Sequence, residues 1–314
     1  MPRLIRQRRW LRRCGGYALF AIWLMPLNAV DAGRTKQTIV VRVDPSDRKV
    51  LPSEVEIKTD GQHVRALTVS DPSTIPVNVA IVIDAGPNQA PVLNREKSLA
   101  VSILNAISVP ANKFLVVRAG YQHTTYPATS DKSKATQLVE ALTTEAGKRS
   151  GVPIYEAMAS AIGELSNLPG LRVLIVIAEG NDYGSTMGFK ALRALVEAQY
   201  VTCLVALVDD HPTRGSKSIL RYGWSLRDLA DDTAGTFVEY SKNVGRTATR
   251  LGRMIESLRL ITFEITGPLP GRHRVSVSAT SGLRLHAQKA IFAETVRPSV
   301  SLNTRTEGRS AAAN

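Results

Sequence analysis

Three stretches, residues 77–83, 172–177 and 201–208, are apolar almost without interruption and far shorter than a bilayer span. A strand with one wet face alternates apolar and polar residues; these do not, so each must be buried on both faces. Between them run amphipathic helices. Residues 94–107 place Ala100, Ile103, Leu104 and Ile107 on one side; 154–165 do so with Met158, Ala161, Ile162 and Leu165, and 189–199 with Leu192, Leu195 and Val196. A further strand is predicted at 114–117. Strands covered on both faces and alternating with helices of about three turns predict an α/β fold, a doubly wound, mostly parallel sheet with helices on both sides. In such sheets the ligand crevice lies beyond the carboxyl ends of the strands, which makes the residues just after each strand the ones to inspect.

The pattern changes on either side of this core. Residues 38–43 and 54–58 alternate in strand fashion, as do 260–266, 274–279 and 283–290, with turn signals between them. The flanks therefore read as antiparallel β, with their mutual pairing left open. The ends carry other information. Arg3, Arg6, Arg8, Arg9, Arg12 and Arg13 precede an apolar run at 17–30 and a small-residue close at Val30-Asp31-Ala32, the order of a secretory signal. Arg8-Arg9 leaves the twin-arginine route open beside the general one, and an uncleaved N-terminal anchor is the alternative to cleavage. The expected organisation is a signal at 1–32, a β flank at 33–75, the α/β domain at 76–242, a connecting helix at 243–259, a second β flank at 260–296 and a disordered tail at 297–314. The expected location is periplasmic or extracellular, with no stable membrane span once the signal is removed. Beyond Cys14, inside the signal, only Cys203 remains, so no internal disulfide staples the mature chain.

The strand ends carry the candidate site. The first core strand closes on Asp84, followed by Gly86 and Asn88; a loop at 150–153 precedes the Ile154 helix; the strand at 172–177 runs into Ala178, Glu179, Gly180, Asn181 and Asp182. These three stations, with residues 225–230 and 233–236 after them, resemble the von Willebrand factor type A domain over about residues 77–240, and with the flanks they are similar to the bacterial VWFA-related, acidobacterial-type proteins. The resemblance implies a metal-ion-dependent adhesion site. There an Asp-x-Ser-x-Ser motif, a Thr and a second Asp surround Mg²⁺ or Mn²⁺, hard cations that take oxygen ligands in an octahedron. This chain departs from the motif at most positions. Asp84 matches the first Asp, Gly86 and Asn88 replace the two Ser, Val152 or Pro153 falls at the Thr, and Glu179 replaces the second Asp. The adhesion site is thus degenerate, with Asp84, Asn88 and Glu179 as the remaining oxygen donors. The expectation is no cofactor, with Mg²⁺ or Mn²⁺ as the alternative. The competing reading of Asp84 and Glu179 is structural: strand-end carboxylates bonded to the amino-terminal amides of the following helices.

Catalytic signatures are missing: no Gly-x-Ser-x-Gly elbow, no phosphate-binding Gly-rich loop, no His-Glu-x-x-His. The five histidines are dispersed, and His211, after Asp209-Asp210, is the best placed for a base. The formal charge of +13 is spread rather than clustered outside the signal and is not interleaved with stacking aromatics, which speaks against nucleic acid. The function expected is non-enzymatic binding of an unidentified protein, as an adhesion or scaffold-like domain. Alternatives are metal-dependent adhesion or a hydrolase on a doubly wound sheet. A rim of loops would make the contacts. Tyr155, Asp182, Arg221, Tyr222 and Trp224 are its candidate residues, the last three in a long loop at 209–224.

Overall fold

Asp60 and Gly61 both carry positive φ (49° and 85°), the backbone of a two-residue hairpin turn, and they fold β2 (Val55–Thr59) back onto β3 (Gln62–Ser70) after β1 (Arg34–Asp44). The computed structural model describes residues 34–44, 48–87, 90–145, 152–179, 182, 184–208, 217–239, 243–266, 271–280 and 282–293. The segments expected as signal and tail, 1–32 and 297–314, lie outside them.

From β3 the chain enters the α/β unit through β4 (Val77–Asp84), buried at every position. There follow α1 (Leu93–Ala106), β5 (Ala111–Ala119), the short β6 (Thr124–Thr125), α2 (Lys132–Glu140), α3 (Ile154–Ser166), β7 (Leu171–Ala178), α4 (Phe189–Ala198), β8 (Val201–Leu207), α5 (Lys217–Asp232), β9 (Thr236–Glu239) and α6 (Val244–Glu256). The sheet order is β6-β5-β4-β7-β8-β9, parallel throughout except for β6. Alternate residues of β4 serve two cores. Val79, Ile81 and Ile83 face the layer of α1, α2 and α6; Ala80 and Val82 face that of α3, α4 and α5. This is the physical origin of the unbroken apolar runs: both faces of the sheet are covered, so both residue parities must be apolar. Where α6 crosses α1, a Cβ on Gly252 would meet the Ala106 carbonyl at 2.6 Å, so only glycine lets the two helices lie this close.

After α6 the chain returns to antiparallel structure in β10 (Leu258–Thr266), β11 (Gly271–Ala279), β12 (Arg284–Ala287) and β13 (Ala290–Ala293). The two flanks pair into one seven-stranded sheet, β12-β1-β10-β3-β2-β11-β13. Its two edge strands are consecutive in the chain, separated only by Gln288 and Lys289. The sheet must therefore curl until its edges meet, and Ile39 and Val41 of β1, Ile57 of β2 and Phe263 of β10 fill the enclosed core. The strand expected at 283–290 is split: Gln288 N donates to Val40 O while Lys289 O accepts from Val275 N, so one half pairs with β1 and the next with β11.

The curled sheet sits against the amino-terminal ends of β8 and β9. Arg272 donates to Glu197 at 2.7 and 2.8 Å, Tyr200 Oη to Gln37 and to the Phe292 carbonyl, and Lys289 reaches Asp232 at 2.9 Å. None of these contacts involves the carboxyl ends of β4 and β7. One expectation is corrected here: residues 217–224, read as the end of a long rim loop, begin α5, and Gly223 does not interrupt the helix because an interior glycine costs only about 1 kcal/mol. Residues 209–216, His211 included, lie outside the described residues. Among the described residues no helix is long and apolar enough to cross a membrane.

Candidate functional site

In the order β5-β4-β7-β8 the chain leaves β4 towards one edge of the sheet and leaves β7 towards the other, which opens a crevice at their carboxyl ends. Asp84 and Glu179 stand at those ends. Asp84 is 2 % exposed and accepts a hydrogen bond from the Gly86 amide at 3.1 Å. That amide belongs to its own turn, not to the helix that follows, which differs from the capping role expected of it. Burial pushes the Asp84 carboxyl up to about 7; the Gly86 bond opposes the rise and the charge of Glu179 adds to it.

A third carboxyl group, unanticipated from the sequence, completes the cluster. Glu96 of α1 is fully buried, and neither of its carboxylate oxygens has a hydrogen-bond partner. Burial drives its pKa well above the usual carboxylate range, and the charges of Asp84 and Glu179 push the same way. A signal for it existed: Leu93, Glu96, Leu99 and Ile103 share the inward stripe of α1, so a glutamate occupies an apolar position.

These residues do not fit the hydroxyl-completed metal shell that the resemblance implies. A Cβ built on Gly86 would run into Cγ2 of Val152, well inside van der Waals contact, and Val152 itself is buried against the α3 side of the core. The space that a serine at 86 would need is thus occupied by the side chain standing at the threonine position, and neither residue offers an oxygen. Asn88 lies outside the described residues. Among the described residues no group of three or more His, Cys, Asp or Glu side chains is arranged to hold a metal ion.

The neighbouring loop is braced to α3. The residue before α3 is Pro153, which supplies no side-chain cap. Asp182 caps the helix from the other loop, accepting from the Tyr155 amide at 3.3 Å and from Ser185 Oγ at 2.5 Å. In return Glu156 Oε1 accepts from the Met187 amide at 3.0 Å and Thr186 Oγ1 at 2.9 Å. Tyr155, expected on the rim, is 4 % exposed and packs against Phe189 with ring centroids 6.2 Å apart. It turns inward because the first turn of α3 lies over the sheet. Arg221, Tyr222 and Trp224 fall in α5, and their side chains lie outside the described residues.

No family model matches the chain, and no curated protein matches it. Solved structures are similar to it. An aerotolerance-related membrane protein from Bacteroides fragilis shares 17 % identity over 57 % of this chain and 98 % of its own, with a TM-score of 0.47. A von Willebrand factor type A protein from Catenulispora acidiphila shares 12 % identity over 84 % of this chain and 75 % of its own, with a TM-score of 0.48. The manganese-loaded TRAP protein of Plasmodium vivax shares 12 % identity over 74 % of this chain and 97 % of its own, with a TM-score of 0.44.

Proposed function

We propose that the chain is an exported, non-catalytic domain of von Willebrand type A kind, which binds a protein partner through the rim at the carboxyl ends of its parallel strands and does so without a resident metal ion. The observation that carries this reading is the packing of Val152 into the place that a side chain at Gly86 would need. An adhesion site that used a cation would need oxygen there. Export rests on the basic and apolar order of residues 1–32.

The absence of catalysis is supported by the placement of reactive groups. Cys203 is completely buried, and burial pushes its thiol up to about 12, so it is no nucleophile near neutral pH. His63, His273 and His286 belong to the curled antiparallel sheet, which docks at the opposite end of the parallel strands from Asp84, and His123 is exposed in the loop after β5. The rim keeps Asp182 and neighbouring loop residues braced, which suits recognition by shape and hydrogen bonding. Arg221, Tyr222 and Trp224 in the first turns of α5 are the proposed anchors. Replacing Arg221 and Trp224 together by Ala is expected to abolish capture of the partner from an envelope extract; unchanged capture removes α5 from the binding face.

A second reading, a cation held by Asp84, Asn88 and Glu179, is favoured by the concentration of buried carboxyl groups around Glu96. Thermal melts with and without millimolar Mg²⁺ and Mn²⁺ separate the two. A ligand present at about 100 times its Kd adds about 2.7 kcal/mol to the folded state. No shift is expected; a clear rise that Asp84→Ala abolishes would install the metal-dependent reading instead.

A further inference from the structure

At the β9 edge of the parallel sheet, apart from Asp84 and Glu179, a cleft of about 1000 Å³ opens between α6, the end of β9 and the strands β1 and β12. Among the described residues four arginines line it, Arg42, Arg246, Arg250 and Arg253, against two carboxylates, Asp44 and Glu239. Glu239 is engaged by Arg227 at 3.1 Å. Arg42 spends its guanidinium on the carbonyls of Ala234 and Gly235 just before β9. The other three arginines stand at i, i+4 and i+7 on the exposed stripe of α6, and among the described residues none of their guanidinium groups has an ion-pair partner.

Like charges at these spacings repel one another along a helix. The opposite stripe of α6, Ala248, Leu251, Gly252 and Ile255, is locked into the core, with Gly252 against Ala106, so the helix cannot roll the arginines apart. A cluster of guanidinium groups beside a cleft, with no ion-pair partner among the described residues, is a site for anions, and the planar fork of arginine suits carboxylates.

Three features select the kind of anion. β9 is the last strand of the parallel sheet and pairs with β8 alone among the described residues, so its other edge offers backbone groups to an extended chain. Arg246 and Arg250 are separated by about 6 Å along the helix axis. Same-side residues of an extended peptide repeat at about 6.6–6.8 Å, so acidic side chains at alternate positions meet both. Among the described residues no Phe, Tyr or Trp ring lines the cleft for base stacking, His286 being its one imidazole, and Asp44 in its wall opposes a continuous polyanion. The chain's own ends are poor occupants: residues 1–33 carry six arginines against one aspartate, and 294–314 carry three arginines against two glutamates. We propose that this cleft is a second binding site, which takes an extended acidic peptide segment of a partner protein, its carboxylates held by Arg246, Arg250 and Arg253.

Fluorescence anisotropy on the full chain tests this, with a labelled decapeptide of alternating Glu and Ser, its Gln counterpart and a short oligothymidylate as probes. The Glu peptide is expected to bind and the Gln peptide not to. Arg246→Gln with Arg250→Gln should weaken binding by about tenfold or more, whereas Arg65→Gln, an exposed arginine on β3, should change it by less than about twofold. Equal losses in both variants would reduce the effect to the general basicity of the chain and overturn the site. Oligothymidylate binding more tightly than the Glu peptide, with the same arginine dependence, would overturn the peptide assignment. Should the double variant melt early, Arg253→Gln alone is expected to weaken binding about threefold, and no change there overturns the proposal.

Discussion

A carboxyl group taken out of water with no hydrogen-bond partner is among the costliest things a core can hold, and Glu96 is such a group. Replacing it by an apolar residue of similar size should therefore stabilise the fold: Glu96→Met is expected to raise the unfolding free energy by about 1–3 kcal/mol near pH 8, read from denaturant titration. A loss instead would mean that the buried carboxyl group is needed where it stands. Asp84 supplies a pH dependence. Its carboxyl sits at about 7 in the fold against an ordinary value of 3.8, so between these limits the folded state holds a proton that the unfolded chain has released. The contribution of this group is fully present below about pH 4 and is lost as the pH rises through about 7. Glu96 acts in the same direction. Asp84→Asn should flatten the decline in stability between about pH 5 and about pH 8; an unchanged slope would show that Asp84 is ionised throughout. Gly86 and Val152 form a coupled pair. Gly86→Ser alone should cost about 1–3 kcal/mol by overpacking, and Val152→Ala should relieve part of that cost, a coupling that a double-mutant cycle measures directly. Asp84 and Glu179 were legible as strand-end carboxylates, because the strands themselves were legible. Gly86 against Val152 was not, since the two residues meet only once α3 is packed on β4.

At the scale of elements, local pattern succeeded where burial is strong and failed where it is weak. β4, β7 and β8 are buried along almost their whole length and declare themselves in any window. α2 buries only Ala135 and Val139 and shows little periodicity for a reader to find. The first turns of α5 went unread because residues 217–224 follow a polar stretch with Pro212 and Gly215 and look like its continuation. α3 begins at a proline and takes its cap from Asp182, 27 residues downstream of Tyr155, a contact that no local rule anticipates. Asp182→Ala is expected to cost about 1–2 kcal/mol and to speed amide exchange in the first turn of α3 ahead of the rest of the helix. Uniform exchange along α3 would mean that Glu156 and the amides of Thr186 and Met187 hold the turn alone.

Over the whole molecule, the two β flanks become a single curled sheet, and that sheet is joined to the α/β unit by a shared ionic contact. Burial works to raise the pKa of Glu197, but the hydrogen bonds and charges of Arg272 and Arg193 outweigh it and hold the carboxyl below its usual range. Glu197 is buried while both arginines stay partly exposed, so removing the glutamate loses the charged hydrogen bonds but leaves cations that water can solvate. Glu197→Ala should cost about 1–2 kcal/mol, and amide exchange should accelerate in β11, which carries Arg272, as well as in β8; acceleration in β8 alone would show that the two units are held together elsewhere. The sequence by itself determined the parallel sheet, its covering helices and the alternation of the flanks, because the periodicity of burial is written into neighbouring residues and survives without knowledge of the rest. Only the tertiary structure decided that residues 34–70 pair with 258–293, that Glu96 turns towards Asp84 and Glu179, that Val152 closes the place at Gly86, and that the arginines of α6 line a cleft. Each of these joins groups far apart in the chain, and their meeting depends on how whole layers pack, a cooperative outcome that no local window contains.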